Sequence, residues 1–161
     1  MFNASYSTRL QSKNVTLSQV VEGCTPTLHE ITEVYNRDCA EALIFAWLVG
    51  FDAYIGKGCF DQNQLNELST TIVSKMYNLK IAEVAMFFVK LKEGEYGDIY
   101  GKINPLWVTS AFSKFFRERA GVIAENEREK ERKEREYKQK KEAETAVSYQ
   151  EYLKLKKEGK L

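Results

Sequence analysis

The sequence predicts an all-α protein: a small helical bundle with a long charged C-terminal helical arm. Three observations lead there. Apolar residues recur at three- and four-residue steps through most of the first 120 positions, the period of a helix with one buried face. Capping patterns, a Ser, Thr, Asp or Asn followed three residues later by Glu or Gln, open several of these stretches. Beyond Gly121 apolar residues thin out, and residues 125–144 hold eight acidic and eight basic side chains.

Residues 1–14 are polar and aperiodic and read as a flexible N-terminus. TLSQVVE at 16–22 reads as a short helical turn ending at Gly23. Thr25 and Pro26 form a cap-plus-proline start, after which Leu28, Ile31 and Tyr35 keep helical spacing. Asp38 with Glu41 matches a capping box for a further helix through Trp47 to Ile55, stopped by the Gly56-Lys57-Gly58 turn. Its run ALIFAWLVGF (42–51) is the strongest apolar segment, and the bundle is expected to form around it. The run is too short to span about 30 Å of hydrocarbon. Asp61 with Gln64 repeats the box, and Leu65, Leu68, Ile72 and Met76 give an amphipathic helix that Asn78 is expected to end in the left-handed conformation.

IAEVAMFFVKLK (81–92) is compatible with helix or strand. Val84, Phe87, Phe88 and Leu91 fit a helical face, while the β-branched and aromatic content fits a strand. Helix is preferred for its length and for Ala82, Glu83, Ala85 and Met86. Gly94 stands as its C′ residue. Asn104-Pro105 then starts a helix with Leu106, Val108, Phe112, Phe115 and Phe116 on its apolar face. From 125 onward opposite charges recur four apart, as in Glu129–Lys133 and Glu131–Arg135. Each pair adds only about 0.2–0.5 kcal/mol to a solvated helix, and no apolar heptad runs through the stretch, against a coiled coil. Ser148 with Glu151 caps a last segment. The resulting domains are a flexible N-terminus (1–14), a helical domain (15–120), a charged helical arm (121–146) and a C-terminal amphipathic tail (147–161).

Net charge is +1, so no global field draws the protein to nucleic acid or an anionic membrane. Cys24, Cys39 and Cys59 are widely spaced without C-x-x-C, which gives no zinc signature. They are expected to be buried, reduced thiols of a cytoplasmic protein. The N-terminus has no apolar signal core. His29 is the sole histidine. HEITE at 29–33 lacks the second histidine of H-E-x-x-H, so no metal site is expected. Glu41, Asp52 and Glu83 sit in apolar surroundings and are the candidate perturbed carboxylates, expected to cap helices or pair with neighbours. No nucleophile, kinase or metal signature occurs. No catalytic residue, cofactor or enzyme activity is therefore expected.

EGEYGDIYGKINP (93–105) matches neither a dinucleotide fingerprint nor a P-loop, since Ile103 stands where a P-loop carries Ser or Thr. It reads as a glycine-permitted turn whose tyrosines are also a contact candidate. Tyr96, Tyr100 and Lys102, with Lys114, Arg117 and Arg119 on the following helix, form the candidate nucleic-acid or partner face. Tyr149, Tyr152, Leu153 and Leu155 place an apolar patch beyond the charged arm and form the candidate protein-binding site.

GEYGDIYGKINP, followed by Phe112, Phe115, Phe116 and RER at 117–119, resembles short proteins of unassigned function encoded by phages and mobile elements of Bacteroidetes. The likeness covers 80–119 and implies no activity and no site residues. In architecture, a compact helical head with a flexible charged tail resembles phage helicase loader/inhibitor proteins, whose head and tail bind separately. The expected function is a non-enzymatic protein-binding adaptor, a DNA-replication accessory of a phage or mobile element. It would bind a protein partner through its tail, with no membrane or metal partner. The alternatives are direct nucleic-acid binding through the loop and following helix, and a structural protein of a virion.

Overall fold

The computed structural model describes residues 13–56, 58–97, 103–145 and 149–159. Seven helices and no strand occur among them, and helix takes 78% of these residues. That is more than twice the share in an average globular chain and makes the protein all-α. The chain divides into two compact units, Met1–Ile123 and Ala124–Leu161.

In the first unit, α1 (Leu17–Glu22) begins at Thr16, whose side chain accepts from the Gln19 N–H in a full capping box. α2 (Leu28–Val34) begins two residues past the expected Thr25-Pro26 start. Thr27 is its cap, and Glu30 reaches back to the Thr27 N–H at 2.7 Å. α3 (Arg37–Ile55) is capped by Asn36, not by Asp38, which lies in the first turn. Asn36 Oδ1 accepts from the Cys39 N–H at 2.7 Å. The helix ends at Gly56, whose φ of 72° is the left-handed conformation that glycine adopts without penalty.

α4 (Gln62–Lys75) has the expected Asp61–Gln64 box. Met76, not Asn78, closes it, and φ there is −122°. α5 (Ile81–Lys92) resolves the ambiguity of 81–92 as helix. An antiparallel bridge between Thr27 and Lys80 fixes its entry, and Ile81 N–H donates to Pro26 O at 2.9 Å. The Lys80 ammonium donates to Val21 O and Gly23 O, so one side chain satisfies free carbonyls at the end of α1.

The bundle forms around α5 and not around the 42–51 run. Ten of the twelve α5 residues are buried, against five of nineteen in α3. α3 packs on α2, α4 and α5, and α1 packs on α5. α6 (Pro105–Thr145) starts where expected, with Asn104 Oδ1 accepting from the Trp107 N–H at 2.9 Å. Its first turns bring Val108, Ala111, Phe112 and Phe115 into the core. Phe87 is the centre of that contact, with Phe112 stacked at 3.5 Å between centroids and Phe115 edge-on at 5.6 Å.

The second unit contains the rest of α6 and α7 (Tyr149–Lys157). Residues 127–144 are exposed. Ion pairs line them, including Lys133–Glu129 at 2.9 Å and Arg135–Glu131 at 3.2 Å. Such pairs offset the absence of a buried face in a solvated helix.

Candidate functional site

The glycine loop and the helices on either side of it form a polar cluster on an aromatic floor. Gly94 has φ 78° and Gly97 φ 131°, so the chain turns back on itself directly after α5. That turn folds Tyr96 inward. Its ring stacks on Phe87 at 5.8 Å and its hydroxyl donates to Glu118 Oε2 at 2.8 Å. Glu118 Oε1 also accepts from the Lys90 ammonium, which donates in addition to Glu95 at 2.7 Å. Burial pushes the Tyr96 phenol well above its ordinary range, and the Glu118 hydrogen bond pushes it the same way. Burial opposes the charge on Lys90, but Glu118 and Glu95 outweigh it and the ammonium is held more firmly than usual.

Of the candidate nucleic-acid residues, Tyr96 is thus buried, with 7% of its surface exposed. Lys114 donates to the Tyr96 carbonyl at 2.9 Å. Arg119 pairs at 2.5 Å with Glu83, whose side chain has no exposed surface. Arg117 is exposed. Tyr100 and Lys102 lie outside the described residues. The structure therefore brings Tyr96 and Lys114 together and places Arg119 in a separate pair with Glu83, each as an internal tie between the loop, α5 and α6.

The sequence reading missed Lys90, Glu95 and Glu118 in this cluster. A signal was present for Glu118, which lies seven residues after Ala111 and three after Phe115, on the apolar stripe of α6. A carboxylate on such a stripe requires a partner.

The isolated carboxylates are each occupied. Glu41 accepts from Arg37 at 2.6 Å and from Thr70 at 2.9 Å, and its carboxyl is held below the usual range, first by Arg37. Asp52 accepts from the Cys59 N–H at 2.7 Å. Glu83 accepts from the Lys80 N–H at 2.7 Å as well as from Arg119. His29 is exposed, with its ring edge toward Tyr77, and no cluster of metal-ligating residues occurs among the described residues. The cysteines depart from expectation: Cys24 and Cys39 are exposed and Cys59 half-buried. Cys24 sits in the α1–α2 connection and Cys39 in the first turn of α3, where neither faces the core.

Two concavities of the first unit lie beside α6. One, of ≈ 430 Å³, is lined by Asn14, Thr16, Met86, Lys90, Glu93 and Glu118. The other, of ≈ 610 Å³, lies between α4 and the start of α6, with Leu68, Met76, Thr71, Thr109 and the 78%-exposed Leu106 along it. Both are open grooves without a paired nucleophile and base.

The candidate protein-binding residues have the opposite character to the loop cluster. Tyr149 is 75% exposed, Tyr152 43% and Leu153 39%; Leu155 is half-buried. No residue of α7 is buried. Tyr149, Tyr152 and Leu153 stand at i, i+3 and i+4 and share one helix face. No helix among the described residues is long and apolar enough to cross a membrane.

Fold and site together describe a small all-α protein whose loop cluster is paired within the first unit and whose terminal helix has an open apolar face. The chain belongs to a family of unknown function (DUF6633), whose profile matches residues 61–160. The match takes in α4 to α7 and leaves α1 to α3 outside. No curated protein and no solved structure matches the chain significantly.

Proposed function

We propose that the protein is a non-enzymatic adaptor that binds a protein partner through α7. The observation that carries this reading is the open apolar face of Tyr149, Tyr152 and Leu153 on a helix with no fully buried residue. Exposed aromatic and aliphatic residues at i, i+3 and i+4 are the pattern by which a short helix docks into a groove. Tyrosine adds large contact area with few rotamers to freeze. The fully exposed, charge-balanced stretch before α7 supports a layout in which the first unit and the terminal helix engage separate partners. The narrower form of the proposal is a cytoplasmic DNA-replication accessory of a phage or mobile element, acting as helicase loaders do. It draws on the resemblance of 80–119 and of the architecture, and on the free state of the described cysteines.

Pull-down with the full chain and with residues 1–146 tests the adaptor reading. A partner recovered by the full chain and lost with 1–146 is expected; identical recovery rejects a binding role for α7. Genes encoding replication proteins beside this one support the narrower form, and capsid genes favour the virion alternative. Direct nucleic-acid binding has less in its favour, because the polar groups of Tyr96, Lys114 and Arg119 are engaged by partners within the chain. A gel shift at low salt, sensitive to Arg117→Ala, would revive it.

A further inference from the structure

The charge on α7 breaks with the stretch before it. Residues 125–144 balance eight acidic against eight basic side chains, whereas α7 sets Glu151 against Lys154, Lys156 and Lys157. Lysines in a last turn complement the helix dipole, but the dipole selects an end of the helix and not a side. Here the lysines also have a side. At about 100° per residue, Tyr152, Tyr149 and Leu153 fill one arc. Lys156 falls within that arc, and Lys157 and Lys154 follow in order along one flank. The excess positive charge of the region is thus concentrated beside its exposed apolar face.

We infer that α7 docks into an apolar groove on a protein partner whose rim carries carboxylates along the flank that meets Lys154 and Lys157. This inference rests on the adaptor reading and names the chemistry of what the adaptor binds. The groove accepts Tyr149, Tyr152 and Leu153, while the rim carboxylates set orientation and speed encounter. Other acidic surfaces fit less well. A phosphate backbone pairs the lysines but leaves the apolar face in water. A membrane surface rewards apolar area and clusters of four or more basic residues. α7 is only nine residues long and offers two leucines and three lysines. A helix of that length, about 13 Å, matches a groove instead.

The test places a photo-crosslinker in the full chain as Tyr152→p-benzoylphenylalanine and irradiates it in an extract of the source cells. The supporting result is an adduct whose cross-linked segment lines an apolar groove with Asp or Glu on its rim. Its yield should fall about tenfold between about 50 and about 500 mM salt. It should fall similarly in Lys154→Gln/Lys156→Gln/Lys157→Gln, which removes charge without placing acid at the helix end. Lys138→Gln/Lys140→Gln is the control and should leave the yield unchanged. An adduct on a surface without carboxylates, or one indifferent to salt and to the triple variant, overturns the inference and leaves the adaptor reading standing. Absence of any protein adduct overturns both. Binding of the full chain to phosphatidylcholine/phosphatidylglycerol vesicles or to duplex DNA, lost in Leu153→Asp, also overturns both.

Discussion

Tyr96 shows how one residue turns a flexible-looking sequence into structure. Its ring adds to the Phe87 stack and its hydroxyl meets Glu118, so the loop after α5 is held by packing and by a hydrogen bond to a carboxylate. Tyr96→Phe keeps the ring and removes the bond. It should lower stability near neutral pH by about 1.5–3 kcal/mol, measured by urea unfolding. The pH dependence has a definite sign. A phenol held protonated in the folded state contributes stability that is fully present below its unfolded pKa of about 10 and is lost as pH rises through the folded value. Tyr96→Phe should therefore unfold less steeply with alkali than the parent. Lys90, whose pKa is also raised, keeps a decline of the same sign in both proteins.

Arg119 gives the companion case. Removing it leaves the fully buried Glu83 carboxylate without its cation, held only by the Lys80 N–H, and Arg119→Ala should cost about 3–5 kcal/mol. Glu83→Met/Arg119→Met should recover most of that loss, since both buried charges then leave together. These pairings were hidden from the sequence because the partners lie 22 and 36 positions apart. Local spacing shows only that Glu83 and Glu118 interrupt apolar faces.

At the level of the helices, ends were more legible than centres. Asp61 and Asn104 act as caps where their patterns stand, because a cap is a local hydrogen bond. The two displaced starts, Thr27 for Thr25 and Asn36 for Asp38, occur where several capping residues crowd together and the tertiary contact chooses among them. The Thr27–Lys80 bridge is that contact for α2. The identity of the central helix was not legible from hydrophobicity alone. The 42–51 run is more continuous, but α5 is covered by α1, α3 and α6, and this depends on topology.

Glycine makes the element scale testable with opposite signs. A Cβ at Gly94 or at Gly121 meets nothing within 4 Å, so neither substitution is decided by space. Gly94 has φ 78° and Gly94→Ala should destabilise by about 1 kcal/mol. Gly121 lies inside α6, and Gly121→Ala should stabilise by about 0.5–1 kcal/mol. Thermal unfolding of the two variants beside the parent checks both signs.

For the molecule as a whole, the division of labour is between residues that bury and residues that stay wet. The core draws on every helix from α1 to the first turns of α6, and the change in composition after Gly121 marks where that ends. This much was visible in the sequence, since burial needs apolar side chains and 125–144 has almost none. The role of 93–105 was only half visible. Its glycines announced a turn, while the direction of Tyr96, into the core, follows from helices that the loop's own residues do not specify.

Hydrogen exchange of the backbone amides tests this division most directly. Amides of Ile81–Lys92 should exchange only through global unfolding, with protection equal to the full stability measured by denaturant. Those of 125–144 should exchange far faster, through local fraying of a solvated helix. Protection of 125–144 as high as that of α5, or exchange of α5 faster than its flanking helices, would contradict it.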